Sequence, residues 1–303
     1  MKQRISIICT IVMMVLLVVG CGPTQTGTTG ATRQVTDDTG VAVTVPSEPK
    51  RIVPIAASTE DIVLSLVDPS RVAAVGTVVN NVPEASAKVE KHVKATAESM
   101  LSVQPDLVLV PNWMSPDAIG EMRNMQIPVY VYKTPTTVEE AKAVIHEIAG
   151  LLHASDEKMI ASMDADLKTV EDIANKHSGE RPLVAFYTQF GLTGGKGSTF
   201  DDMTKYLKVH NVAAQLGLGH FDNGTREDLI KANPDIIIIP SVDYTSDGTT
   251  PATAEQLYSD PALQGIKAIA NRRVFLVDSS QVMSYSQFMT RAMVSMAQNI
   301  YSK

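Results

Sequence analysis

The chain has 303 residues, a formal net charge of −7, 44% hydrophobic residues and two cysteines. The acidic balance, with no basic cluster, argues against nucleic acid as a partner. Cys9 and Cys21 both stand within the first 21 residues, so no disulfide or thiol site is expected in the remainder.

Residues 1–20 have the pattern of a signal peptide. Lys2 and Arg4 precede an apolar stretch from Ile5 to Val19, short for a membrane span. Leu17-Val18-Val19-Gly20-Cys21 has the form of a lipobox, which predicts cleavage before Cys21 and lipidation of that cysteine. Loss of Lys2 and Arg4 makes the mature chain two charges more negative. Residues 21–32, rich in Gly and Thr, have nothing to bury and read as a flexible tether. The expectation is an exported protein held to the cell envelope by lipid.

The fold begins near residue 33. Asp38-Thr39-Gly40 separates two alternating runs, a small hairpin. Arg51–Ile55 is an apolar strand, Ser58 suits a helix N-cap, and Thr59–Leu66 is helical. Pro105-Asp106 then opens the apolar run Leu107–Val110, which ends at Pro111, and Pro128–Tyr132 is a further strand. Such short β-branched runs suit strands buried on both faces of a parallel sheet.

Ser155–Lys176 reads as one uninterrupted helix. Ile160, Met163, Leu167, Val170 and Ile173 recur at spacings of three and four and fall on one face. Ser155 offers a capping oxygen, followed by the acids Asp156 and Glu157. At 1.5 Å per residue such a helix reaches about 33 Å, the width of a small domain. Beyond it the first half is echoed. Pro182–Tyr187 opens the second half, Pro234-Asp235 precedes Ile236–Ile239 and Pro240, and Arg273–Val277 follows. The repeat predicts two α/β lobes, residues 33–154 and 178–303, joined by a connecting helix at 155–177.

With these elements placed, the chain resembles the substrate-binding proteins of ABC importers for iron siderophores, haem and cobalamin, the class III periplasmic binding proteins. The resemblance rests on Asp37-x-x-Gly40, Pro49-x-Arg51-Ile-Val, the helix start Ser58-Thr59-Glu60, and both Pro-Asp strand entries. In the second half it rests on Gly194 to Phe200 and Asn211-Val-Ala-Ala214, and it spans roughly residues 33–300. Leu66-Val67-Asp68 departs from the family's Leu-Gly. The resemblance implies two Rossmann-like lobes joined by a single long helix, with the ligand held between them. It also implies delivery to the membrane subunits of an ABC permease; the chain itself is expected to be a monomer.

In such sheets ligands sit beyond the carboxyl ends of the strands. In the first half those ends are Ala57-Ser58-Thr59, Thr77–Asn81, Asn112-Trp113-Met114 and Lys133-Thr134. In the second they are Tyr187–Gly191, His220-Phe221, Ser241–Tyr244 and Ser279–Tyr285. From these we take Ser58, Thr59, Asn80, Trp113, Lys133, Tyr187, Phe190, Phe221, Tyr244 and Tyr285 as candidate ligand-binding residues. Trp113, the only tryptophan, and the other rings offer rigid walls for a large flat ligand. The resemblance further places permease-docking acids near Asp117 in the first lobe and near Asp201 and Asp202 in the second. All three also fall at helix starts, where an acid is stabilised by the helix dipole.

Catalytic and metal patterns do not emerge. Gly197 stands where a phosphate loop needs Ser or Thr, and neither Gly-x-Ser-x-Gly nor His-Glu-x-x-His occurs. His92, His146, His153, His177, His210 and His220 lack metal-ligand spacing, and His220 alone lies near the expected cleft, as a hydrogen-bonding group. The reading is a binding protein, not an enzyme, without cofactor, whose cargo is a metal chelate. A cobalamin-type corrinoid and a ferric siderophore are close, and no arginine at the strand ends inclines the choice to the corrinoid; haem comes third. A free metal ion would need three or four converging ligands, and a surface-anchored hydrolase a nucleophile–base pair.

Overall fold

The computed structural model describes residues 31–76, 81–241 and 253–302. Cys21, Asn80 and Tyr244 lie outside them. Strands β1 (Thr32–Thr36) and β2 (Ala42–Pro46) form the expected hairpin. Asp37, almost fully buried, closes it. Its Oδ1 accepts the Thr39 and Val41 amides, and its Oδ2 takes the Val131 amide and the Arg123 guanidinium. Burial pushes this carboxyl up, but the hydrogen bonds of Thr39, Val41 and Val131 outweigh it and hold its pKa below the ordinary value. Its stabilising contribution is therefore present at neutral pH and lost as the pH falls below about 4. Asp37→Ala should cost on the order of 3 kcal/mol in urea unfolding, because Arg123 would lose its buried partner.

The first lobe is a parallel sheet in the order β3 (Ile52–Pro54), β4 (Leu107–Pro111), β5 (Val129–Tyr132). The second carries β10 (Val274–Val277), β9 (Ile236–Pro240) and β6 (Leu183–Thr188) in parallel. There β7 (Gly191–Thr193) pairs antiparallel and β8 (His210–Asn211) parallel with β6. Every strand expected from the sequence is present within one or two residues. The repeated Pro-Asp has a structural reason: the Asp carboxylate clamps the start of a neighbouring strand. Asp106 accepts the Lys50 and Arg51 amides at 2.7 and 2.9 Å ahead of β3, and Asp235 accepts the Leu183 amide of β6 at 2.9 Å.

The helices that frame the site are α1 (Ala57–Leu66), α2 (Pro116–Asn124), α3 (Val138–Leu152), α4 (Glu157–Asn175), α5 (Thr199–Tyr206), α6 (Ser279–Val282) and α7 (Met289–Ile300). α4 is the expected connecting helix, shorter than expected by two residues at its start and one at its end. Asp156 precedes it without a side-chain cap. Met163 and Val170 are buried, and Ile160, Leu167 and Ile173 pack beside them, as the seam demanded. One apolar core runs through both lobes, joining Leu107 and Tyr132 of the first with Met163 and Val170 of α4 and with Val184 and Ile236 of the second. Separate cores fill the outer face of each sheet.

Two buried carboxylates add polar ties across the joint. Asp202 of α5, 7% exposed, accepts the Val138 amide at the first turn of α3 at 2.9 Å. Asp61 of α1 accepts Ser286 Oγ at 3.1 Å. A joint packed and bonded in this way resists hinge bending. Small-angle scattering should show no large fall in radius of gyration when ligand binds.

Candidate ligand-binding site

The carboxyl ends of β3, β4 and β10 meet at one cavity of about 290 Å³. Ala56 lines it from just ahead of α1, Ala57 and Ser58 from the first turn of α1, Trp113 from the turn after β4, and Ser279, Ser280, Met283, Ser284 and Tyr285 from α6 and the segment after it. Both lobes therefore contribute, and no lining side chain is charged.

Local sequence explains how Trp113 comes to face outward. After Pro111 ends β4, the Asn112 amide bonds to Tyr132 O at 2.9 Å, and Asn112 Oδ1 accepts the Thr134 amide at 3.1 Å. Met114 turns back, its amide on Pro111 O, and buries its side chain, while Ser115 Oγ caps α2. The indole between them is 62% exposed, an unusual placement for so large an apolar group. On the opposite wall Tyr285 is half-buried, and burial raises its hydroxyl pKa, which keeps it neutral. Ala56, ahead of α1, holds φ 88° and ψ 146°, a strained conformation for a residue with a Cβ. No side chain caps α1, so its first amides face the cavity end of the helix.

Of the residues expected at the cleft, the cavity gathers Ser58, Trp113 and Tyr285. Thr59 is fully buried, and its hydroxyl bonds to Ile55 O and the Tyr132 hydroxyl, both at 2.7 Å; it belongs to the core beneath the cavity. Lys133 is exposed and paired with Glu140 at 3.0 Å, away from the lining. Tyr187 packs half-buried against the outer core of the second lobe. Phe190 and Phe221 stand outside the cavity lining, 58% and 88% exposed. Their loops are stitched together by the Leu192 and Gly224 amide–carbonyl pair, where a Cβ on Gly191 would meet Gly224 O at 2.4 Å. His220 stacks on Phe221 with ring centroids 4.2 Å apart.

Sequence reasoning did not single out Ala56, Ser280, Met283 or Ser284, although the segments around them were marked as strand ends. The glycine-rich run has a packing purpose: a Cβ on Gly195 would meet Leu218 O at 2.3 Å, and the adjacent Lys196 amide bonds to that carbonyl. Among the expected docking acids, Asp117 is exposed at the first turn of α2, which Ser115 already caps. Asp201 is bound by the Gly197 amide and Asn211 Nδ2, and Asp202 by Val138 and Lys205. The two second-lobe acids are thus tied into the fold.

Two α/β lobes, a single connecting helix and a cavity at the strand ends between them define a two-lobed binding protein. A family model described as periplasmic binding protein matches residues 52–281, and the chain belongs to that family, whose members bind rather than catalyse. The chain is 26% identical to an uncharacterized ABC transporter substrate-binding lipoprotein, YvrC, of Bacillus subtilis, over 99% of this chain and 98% of the relative. It is 23% identical to a cobalamin-binding protein of Halobacterium salinarum, over 67% of this chain and 57% of that protein. Among solved structures, the periplasmic heme-binding protein RhuT of Roseiflexus matches with TM-score 0.70 and 20% identity, covering 83% of this chain and 98% of that one. Among the described residues, no helix is long and apolar enough to cross a membrane, and no group of three His, Cys, Asp or Glu could hold a metal ion.

Proposed function

We propose that this chain is the substrate-binding lipoprotein of an ABC importer, anchored through Cys21, which captures a metal chelate as a monomer and passes it to the permease. The single observation that carries this reading is the uncharged, aromatic-walled cavity built from both lobes. A chelate arrives with its metal already coordinated, so the protein needs shape, rings and hydroxyls rather than metal ligands. The cavity is at the small end of the range for organic ligands, about 300–1,000 Å³. It therefore holds one edge of a large flat cargo, and the exposed rings of Phe190 and Phe221 are the further apolar surface the second lobe offers.

A cobalamin-type corrinoid fits best. Its amide-bearing rim suits the hydroxyls of Ser58, Ser279, Ser280 and Ser284, whereas the carboxylates of haem and of many siderophores call for cations that this lining lacks. The similar protein of Halobacterium salinarum, named for cobalamin binding, supports the same choice. A ferric siderophore is second and haem third.

The test is titration of tryptophan fluorescence with cyanocobalamin, a ferric hydroxamate and haemin in parallel. Saturable quenching strongest with cyanocobalamin is expected. Saturable binding only of haemin would overturn the choice of cargo, and no response to any chelate would overturn the functional reading.

A further inference from the structure

Beneath the cavity floor lies a buried polar network that spans the two lobes. Asp61, one turn along α1 from Ser58, has no exposed surface. Its Oδ1 accepts the Asn81 amide at 2.6 Å, and its Oδ2 accepts Asn81 Nδ2 at 2.8 Å and Ser286 Oγ at 3.1 Å. Asn81 also reaches the second lobe: Nδ2 donates to Ser280 O at 2.8 Å, and Oδ1 accepts Ser280 Oγ at 2.6 Å. Ser286 Oγ lies 2.6 Å from Ser284 Oγ, and Gln287 Nε2 donates to Asp61 O at 3.1 Å. Ser280 and Ser284 are cavity-lining residues. The carboxylate of a first-lobe helix is therefore connected, through one asparagine and one serine, to two serines that line the cavity from the second lobe.

Among the described residues no cation pairs with the Asp61 carboxylate. On α1 the neighbouring Glu60 accepts the Gly76 amide. At the start of α6, Asp278 bonds to Ser280, and on α4 Asp166 is held by Thr290 of α7. Lys158 and Arg291 line a separate hollow beside Ser65 and Gln287. Burial raises the Asp61 pKa to about 6, against the pull of Asn81, Ser286 and Ser284, which favour the ionised form. The two forms are thus close in free energy near pH 6.

We propose that Asp61 and Asn81 are positioning residues for cargo: the ionised carboxylate orients the Ser280 and Ser284 hydroxyls and holds the lobes in the binding geometry, so acid weakens binding. This rests on the cavity being the cargo site. Only the ionised carboxylate accepts all three donors; protonation turns one acceptor into a donor and breaks the alignment.

The experiment uses the full chain, with cyanocobalamin as probe, at pH 7.5 and 5.0. Wild type should bind roughly tenfold more weakly at pH 5.0, as a group titrating near 6 requires. Asp61→Asn should bind weakly at both pH values. Asn81→Asp sets two carboxylates face to face. It should bind poorly at pH 7.5 and recover at pH 5.0, where the pair shares a proton; simple structural damage would not be repaired by acid.

Melting temperature supplies a readout without ligand. Because Asp61 titrates above its ordinary value when folded, its contribution to stability falls as pH rises from about 4 through about 6 and is level above that. Asn81→Asp should steepen this fall, and Asp61→Asn should abolish it. A wild-type pH profile kept by Asp61→Asn, or an Asn81→Asp defect equal at both pH values, overturns the inference. If wild type binds no chelate, the functional reading fails instead, and the acid repair of Asn81→Asp melting alone decides whether the network joins the lobes as described.

Discussion

Trp113→Ala is expected to weaken chelate binding by tenfold or more while leaving the melting temperature almost unchanged. The two halves of that result have different causes. The indole is 62% exposed, so its removal leaves no void in the first-lobe core. The turn that presents it is held by Asn112, Met114 and Ser115, none of which is altered. In a bound complex the same ring would become a buried wall, and truncating a central aromatic contact commonly costs 2 kcal/mol or more. Trp113→Phe should recover part of the loss, because a smaller ring keeps the flat surface. Calorimetry on the three proteins measures the effect independently of fluorescence, which the mutation itself removes. Unchanged affinity in Trp113→Ala would place the cargo elsewhere.

Charge reversal at Asp117 and at Asp202 should give opposite phenotypes. Asp117 is exposed at the outer start of α2, and Ser115 already serves as the cap there. Asp117→Lys should leave chelate binding and melting intact and abolish uptake in cells, because a cation would meet the basic docking surface we propose for the permease. Asp202 is buried, and its carboxylate accepts the Val138 amide at the N-terminus of α3, a cap supplied from the other lobe. Asp202→Lys should therefore destabilise the protein, on the order of 3 kcal/mol, since a buried cation would face an unsatisfied amide. Purified protein and an uptake assay separate the cases. Normal transport by Asp117→Lys would remove that residue from the docking surface.

The contrast between these acids shows where sequence reasoning loses its hold. Asp117, Asp201 and Asp202 all follow Ser or Thr at a helix start, and nothing in their neighbours distinguishes a free carboxylate from a tied one. Their difference depends on which backbone amides approach from distant parts of the chain: Val138 for Asp202, Gly197 and Asn211 for Asp201. Thr59 and Lys133 illustrate the same point. Both occupy strand ends, yet the partner of one is Tyr132 and of the other Glu140.

What the sequence alone determined is the architecture. Buried parallel strands must be continuous apolar runs, and a connecting helix must carry an apolar seam, so β3 to β6, β9, β10 and α4 were legible from periodicity, with their ends off by one or two residues. The cavity taken here as the candidate site lies where the same logic expects one, beyond the carboxyl ends of the strands. Only the tertiary structure decided which strand-end residues share one cavity. It drew Ser58, Trp113 and Tyr285 together with Ser280 and Ser284, left Phe190 and Phe221 outside, and buried Asp61 against a loop 225 residues further along. The physical reason is range. Periodicity reports how a residue meets its own element within a few positions, whereas a cavity and a buried carboxylate are made by segments that meet only when both sheets are packed against a common core.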